Sequence, residues 1–420
     1  MLRADPERSE CSVQGSPVSR ILAAWEMGAN MGHIDRLLLV ARALRARGHD
    51  VRFVLRDLSR AHPRIAAEGF AMGQAPIWLP RLANPPPLGS YAAILAAAGW
   101  LDATGLAGLI SGWRSWFDLL QPDVLIADHS PTAVLAARGL GMKVWTIGTS
   151  FEVPPRGDRF PPMAFWEPGA REQGAGDDDL VLPVANRALA LHQMPPLRKL
   201  TDLFAGTHAA IATPAELAHY DGYPTDMAFC GPTYLGDSGV APCWPQGEGP
   251  RVFAYLAPTH TEFRSLMAAL REMPLVGLVH AKGLSDEAAA RLAGPRLRFE
   301  AQPVKMDEAM AHADIVVSHA SLGTVTAAFM AGKPQLVLPN HMEQRMTGRR
   351  IVANGIGLAV AQGSQGNDWR ALLTRLSGEP HFTASARLLA ARYPGCTPAG
   401  TAGRLADLVE ASLPSTSSQA

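Results

Sequence analysis

Short apolar runs, each closed by glycine or a small polar cluster and followed by a segment with helical apolar spacing, recur along this chain and predict alternating buried strands and helices. Arg20–Trp25 is the first such strand. It runs into the loop Glu26-Met27-Gly28-Ala29-Asn30-Met31-Gly32-His33, and Leu37, Leu38, Val40, Ala41 and Leu44 then repeat at helical spacing. Gly48-His49-Asp50 ends that helix before the strand Val51–Leu55, completing a βαβ unit. Leu88–Leu120, rich in Ala, Leu and Trp, predicts a helix pair. Pro122–His129 predicts a buried strand ending at Asp128, Pro131–Gly139 a helix and Lys143–Ile147 another strand, with Gly148–Pro155 as the loop at its end. Residues 156–184 carry Gly, three Pro and Asp177-Asp178-Asp179 without periodicity, which predicts a mobile surface loop with solvated charge. Val184–His192 and Leu197–Phe204 read as helical, Ala209–Ala212 and Ala228–Cys230 as short strands.

Residues 236–250 lack apolar periodicity and read as a linker. The alternation restarts with strands at Val252–Leu256, Leu275–His280 and Leu297–Phe299, a short helix at Asp307–Ala311, and strands at Ile315–Val317 and Gln335–Leu338. Helical segments at 368–376, 383–392 and 401–412 follow. Residues 1–19, polar and mixed in charge, read as a flexible leader without a signal peptide's apolar core, and 413–420 as a disordered tail.

With 420 residues and 47% hydrophobic content, the chain exceeds the size at which a single core stops growing, about 250–300 residues, and two domains are expected. Lys+Arg and Asp+Glu number 38 each, so no net charge draws the chain toward nucleic acid or an anionic membrane. Cys11, Cys230, Cys243 and Cys396 form no Cys-x-x-Cys and no zinc spacing, as suits reduced thiols in a cytoplasmic protein. The longest apolar run in the Trp-rich region, Tyr91–Leu101, falls short of the roughly 20 residues of a membrane span.

The strand Ile315–Val317 opens on Ser318-His319-Ala320-Ser321-Leu322-Gly323-Thr324, small and polar residues at a helix start. Unpaired N–H groups there carry partial positive charge and suit a diphosphate, with His319 as an added side-chain donor. The next strand ends at Pro339, before Glu343-Gln344. Ligands in parallel sheets sit outside the carboxyl ends of strands, which gathers His319, Ser321, Gly323, Thr324, Glu343 and Gln344 round one ligand.

In order and register, His319, Gly323, Thr324, Gly332, Pro334, Pro339, Glu343 and Gln344 resemble the donor-binding motif of inverting GT-B glycosyltransferases, the UDP- and dTDP-dependent enzymes of natural-product type. Gly32-His33 followed by Leu44–Val51 resembles their amino-terminal signature, and Gly231-Pro232 the end of their first domain. The resemblance implies an α/β fold of two Rossmann-like domains facing across a cleft: an acceptor-binding domain at 20–235, a nucleotide-sugar domain at 251–380, and helices at 381–412 crossing back to the first. It implies a hexosyltransferase in which His33 is the general base, a group that titrates near the working pH. Asp128 would orient it; the alternative is that Asp128 only caps the following helix. His319 and Thr324 would touch the diphosphate, Glu343 and Gln344 the sugar, and the backbone near Val304 the base edge, with Gly32 and Thr259 also beside the nucleotide sugar. Glu26, Trp100 and Phe151 would face the acceptor, against the ordinary alternative that such aromatics pack a core. No metal or cofactor is expected, and the partners are a nucleotide sugar and a small apolar acceptor. The chain is expected as monomer or homodimer, and membrane association is not favoured.

Three departures qualify the resemblance. Ala327 stands where plant-type members hold the ribose hydroxyls with Glu, which leaves dTDP beside UDP as the nucleotide. Ala257-Pro258-Thr259 replaces a Ser or Gly followed by Thr, and Glu343 replaces Asp. Two other readings therefore stand next to the first: a lipid-linked acceptor, which calls for exposed apolar residues at 91–116, and a catalytically silent partner of another glycosyltransferase. A nucleotide-sugar epimerase ranks below both, since it needs carboxylates in the cleft and Glu26 is the one odd acid near the base.

Overall fold

The computed structural model describes residues 18–413 apart from 30, 81–86, 237–238 and 362, so most of the expected leader and tail, Cys11 and part of the expected linker lie outside the described residues. The strands of the first domain are β1 (Arg20–Trp25), β2 (Asp50–Leu55), β3 (Met72–Gln74), β4 (Val124–Ala127), β5 (Lys143–Gly148), β6 (His208–Ile211) and β7 (Ala228–Phe229). They form a parallel sheet in the order β3-β2-β1-β4-β5-β6-β7. The second domain contributes β8 (Arg251–Leu256), β9 (Val276–Ala281), β10 (Leu297–Glu300), β11 (Ile315–Ser318), β12 (Gln335–Val337) and β13 (Gly357–Ala359). Their order, again parallel, is β10-β9-β8-β11-β12-β13.

Both sheets are covered on each face, which is why their strands read as near-continuous apolar runs. Ile21, Ala23, Trp25 and Phe53 meet the helix Gly32–Ala46, and Leu405, Ala406 and Val409 of the last helix, Pro398–Ala411, close over them. Leu22, Ala24 and Leu125 look the other way, toward Trp100, Trp113 and Phe117. In each sheet the order reverses once, between β1 and β4 and between β8 and β11. Those two reversals put strand ends side by side and open a crevice beyond them.

Residues 156–169 are irregular, with Arg156–Arg159 and Glu167–Gly169 exposed, but the rest of the expected loop, 170–184, is helical. A helix spans Ala170–Leu191, across Gly174, Gly176 and Pro183. Val181, Ala185, Ala188 and Leu189 pack into the core beneath it, and that burial outweighs the poor local propensity. Asp177 and Asp178 are not solvated: both are buried, and Ser90 Oγ donates to Asp177 Oδ2 at 2.6 Å. Only Asp179 is exposed, paired with Arg159.

The Trp-rich region is two segments, Tyr91–Trp100 and Ala103–Leu120, bent 86° apart, and among the described residues no single helix is long and apolar enough to cross a membrane. It packs on the sheet, and none of its residues lines the cavity between the two domains. Of its large aliphatic side chains between 91 and 116, Leu101 alone is counted exposed, so the apolar surface that a lipid-linked acceptor calls for is not formed there.

Candidate active site

His33 stands in the first turn of the helix that follows β1, and Asp128 at the end of β4, the neighbouring strand. Their side chains meet: His33 Nδ1 lies 2.8 Å from Asp128 Oδ1. Arg36, one turn further along, donates through Nε to Asp128 Oδ2 at 2.7 Å and through Nη2 to Oδ1 at 2.9 Å. Asp128 is wholly buried and caps no helix, so its negative charge is answered by this guanidinium and by the imidazole. Burial alone would lower the His33 pKa; the charge and hydrogen bond of Asp128, helped by Glu152, prevail and raise it above 6.5. With Nδ1–H given to Asp128, Nε2 keeps its lone pair. It faces Gly28, whose φ is +81° and where a Cβ would stand 2.6 Å from Nε2, so only glycine leaves room in front of that nitrogen.

Glu152, from the loop after β5, places Oε1 3.9 Å from His33 Nδ1 and 3.7 Å from Arg36. Burial would raise its pKa, but Arg36, His33 and His129 hold it well below the usual carboxylate range. His33, His129 and Glu152 each bring one ligand atom within 4.8 Å of the others and are the side chains here that could hold a cation.

The second wall is the helix Leu322–Met330 after β11. Ala320, just before it, has φ +62°, and His129, in the matching turn after β4, has φ +47°. These are left-handed conformations that non-glycine residues seldom adopt, and each stands where a central strand turns sharply at the cleft. Ser321, Leu322, Gly323 and Thr324 line the cavity at the helix start, where the first N–H groups have no partner within the helix. His319 also lines it, but does not add a donor. Its Nε2 accepts from the Ala257 N–H at 2.6 Å and its Nδ1 contacts the Leu338 carbonyl at 3.1 Å, which fixes the Nδ1–H tautomer and spends both nitrogens. Burial lowers its pKa to about 4. His319 therefore ties the ends of β8 and β12 together as a neutral ring.

Glu343 and Gln344 line the same cavity from the start of the helix Met342–Ala353, and Gln344 Oε1 accepts from Asn340 N at 2.8 Å. Burial and the charge of Glu152 push the Glu343 pKa up, against the pull of His33 and Arg36. Val304 lines the far end. It bridges Val240 in parallel, with Pro303 O accepting from Val240 N and Lys305 N donating to Val240 O. In an extended strand that alternation leaves Val304's own N–H and C=O directed to the opposite edge.

His33, Gly32, Val304, His319, Ser321, Gly323, Thr324, Glu343 and Gln344 thus share one cavity of about 700 Å³ between the domains, with Asp128 behind His33. Four other candidates lie elsewhere. Thr259 is exposed in the turn after β8 and away from the cavity lining. Glu26 is turned beneath the sheet, where it accepts from Trp113 Nε1 at 2.8 Å and Thr132 N at 2.7 Å. Trp100 is core, its Nε1 donating to Thr132. Phe151 packs with Met163, Tyr220 and Met346.

Comparison with known proteins points to the same fold. Residues 287–408 match the family described as erythromycin biosynthesis protein CIII-like, C-terminal domain. The zeaxanthin glucosyltransferase of Pantoea ananas is 24% identical over 264 residues, which take in 58% of this chain and 61% of that protein, so the match spans about three-fifths of that curated relative. The calicheamicin glycosyltransferase CalG4 superposes with a TM-score of 0.70 at 19% identity, over 94% of this chain and 98% of its own. The glycosyltransferase VinC, solved in complex with dTDP, gives 0.66 at 18% identity, over 93% and 100%. The chain has the GT-B fold, two parallel-sheet α/β domains about one cleft, and the proteins it resembles are glycosyltransferases.

Proposed function

We propose that this protein is an inverting glycosyltransferase that moves a sugar from a UDP- or dTDP-sugar to a hydroxyl of a small acceptor. What carries this reading is the one cavity that His33 lines from the first domain and Ser321–Thr324 from the second, with His33 Nδ1 committed to Asp128. In the step, the acceptor hydroxyl attacks the anomeric carbon from the His33 side. Its oxygen forms the new glycosidic bond, the bond from that carbon to the diphosphate breaks, and the hydroxyl proton passes to Nε2. Asp128 stabilises the imidazolium that results. The departing diphosphate is met by the N–H groups of Leu322, Gly323 and Thr324, donors fixed before the charge arrives. No resident metal is invoked, and transfer is expected to survive EDTA.

Ala327 is buried against Phe253 and Val316, so no carboxylate from that position meets a ribose, which favours dTDP; the dTDP complex of VinC points the same way. The test is thermal-shift titration of the purified chain with dTDP, UDP and GDP, followed by transfer assays with the sugars of whichever nucleotide stabilises it. The expected result is stabilisation by dTDP at concentrations where UDP does less, and turnover by the chain alone. A chain that binds none of the three and hydrolyses no nucleotide sugar overturns the proposal and leaves the silent-partner reading.

A further inference from the structure

Outside the residues given a role so far, one buried polar chain crosses from one domain to the other. Ser150 lies in the loop that carries Glu152, and its Oγ accepts from His219 N at 2.7 Å while contacting His219 Nδ1, also at 2.7 Å. His219 Nε2 reaches Thr347 Oγ1 at 3.0 Å, and Thr347 Oγ1 donates to the Glu343 carbonyl at 3.0 Å. One proton arrangement satisfies every group: Ser150 donates to Nδ1, Nε2–H donates to Thr347, and Thr347 donates to Glu343. All three side chains are buried. Tyr223 Oη pins the same loop, donating to Ser150 O at 2.9 Å and Val153 O at 2.8 Å. Round the chain, Met346 of the second domain packs with Phe151, Met163 and Tyr220 of the first.

We propose that His219 is a positioning residue: its imidazole locks the loop Thr149–Val153 to the helix Met342–Ala353, so that Glu152 beside the base and Glu343 beside the donor are set relative to each other. The inference rests on the reading of the cleft as a glycosyltransferase site. Its physical ground is directionality. Rim pairs such as Arg350–Asp221 at 2.7 Å also join the domains, yet exposed ion pairs tolerate many geometries and contribute little. A buried chain with each donor assigned to one acceptor permits a single arrangement.

Thr347 is the position to test, because Val keeps its shape while removing the acceptor of His219 Nε2–H, and Ser keeps the hydroxyl. In the full-length protein, Thr347→Val is expected to speed amide exchange at 149–153, in the other domain, and to lower kcat on the order of 10- to 100-fold, the scale of a slight misplacement of reacting groups. The dTDP affinity should hold, since Val304 and Gly323 are untouched, and Thr347→Ser should restore both exchange and kcat. Unchanged exchange at 149–153 in a folded Thr347→Val protein overturns the bridge. Faster exchange with unchanged kcat overturns the positioning role. Should the parent protein transfer no sugar at all, the functional reading fails, while the exchange data still decide the bridge.

Discussion

The carboxylate of Asp128 is shared between His33 Nδ1, at 2.8 Å, and the Arg36 guanidinium, which grips it with two nitrogens. The shared carboxylate orients the ring while Arg36 answers part of its charge, so one tautomer is selected and Nε2 keeps its lone pair. His33→Ala should lower transfer by about 10²–10⁴-fold, the usual worth of a positioned base. Nucleotide affinity by thermal shift should match the parent, because the nucleotide end of the cavity is untouched. Equal transfer rates would remove His33 from the mechanism.

The same arrangement sets a pH dependence. His33 acts only when Nε2 is unprotonated, and its pKa is raised above 6.5 because Asp128 and Glu152 outweigh burial. The acid limb of kcat/KM for the acceptor should therefore have its midpoint above pH 6.5. Asp128→Asn removes the largest raising influence and leaves Glu152 alone to oppose burial and Arg36, both of which lower the value. The limb should move to lower pH while the plateau rate falls, and a limb that stays in place would show that another group titrates in it.

At the opposite wall the testable atom is missing by design of the residue. A Cβ added at Gly323 would meet nothing nearer than Tyr234 Cβ at 3.7 Å, ordinary van der Waals contact. Gly323→Ala should fold with an unchanged melting temperature. If the diphosphate lies against this helix start, the methyl stands where phosphate oxygens must approach the N–H groups, and the dTDP dissociation constant should rise at least tenfold. Unaltered affinity would place the diphosphate elsewhere in the cavity.

What could be seen before the structure follows from what kind of signal each feature leaves. Strands buried on both faces leave long apolar runs, and the turn from Ser318 to Thr324 leaves a contiguous motif, so both were legible. Arg36 also had a signal, since it lies three residues after His33 and so on the same helix face. Ser150, His219 and Thr347 had none: each is an ordinary polar residue, and only the closing of two domains brings them together. Trp100 and Phe151 illustrate a different limit, because an aromatic that packs a core and one that lines a pocket look alike until the sheet shows which way each faces. The helix Ala170–Leu191 was hidden by Gly, Pro and Asp, whose local preferences are overruled by Val181, Ala185 and Leu189 packing beneath them. His319 kept its place in the motif but not its expected task, because the Ala257 N–H reaches its Nε2 first.

Glu26, expected at the acceptor and found in the core, leads to a prediction about stability. Burial raises its pKa from 4.5 to about 7, although Thr132 and Trp113 donate to it. Below pH 4.5 it holds a proton both folded and unfolded, and contributes no pH dependence. Between 4.5 and 7 the unfolded chain releases the proton while the folded chain keeps it, so stability falls as pH rises. Above 7 both forms are ionised and the loss is complete. Glu26→Gln cannot titrate, so the stability of the parent relative to this variant should decline by about 3 kcal/mol in all from pH 4.5 to 7, as an order of magnitude, and then level. Urea unfolding of both proteins at matched pH values measures that difference directly. A difference that stays flat across the window would mean that Glu26 is ionised in the folded protein throughout, held by the Thr132 N–H and the Trp113 indole in spite of its burial.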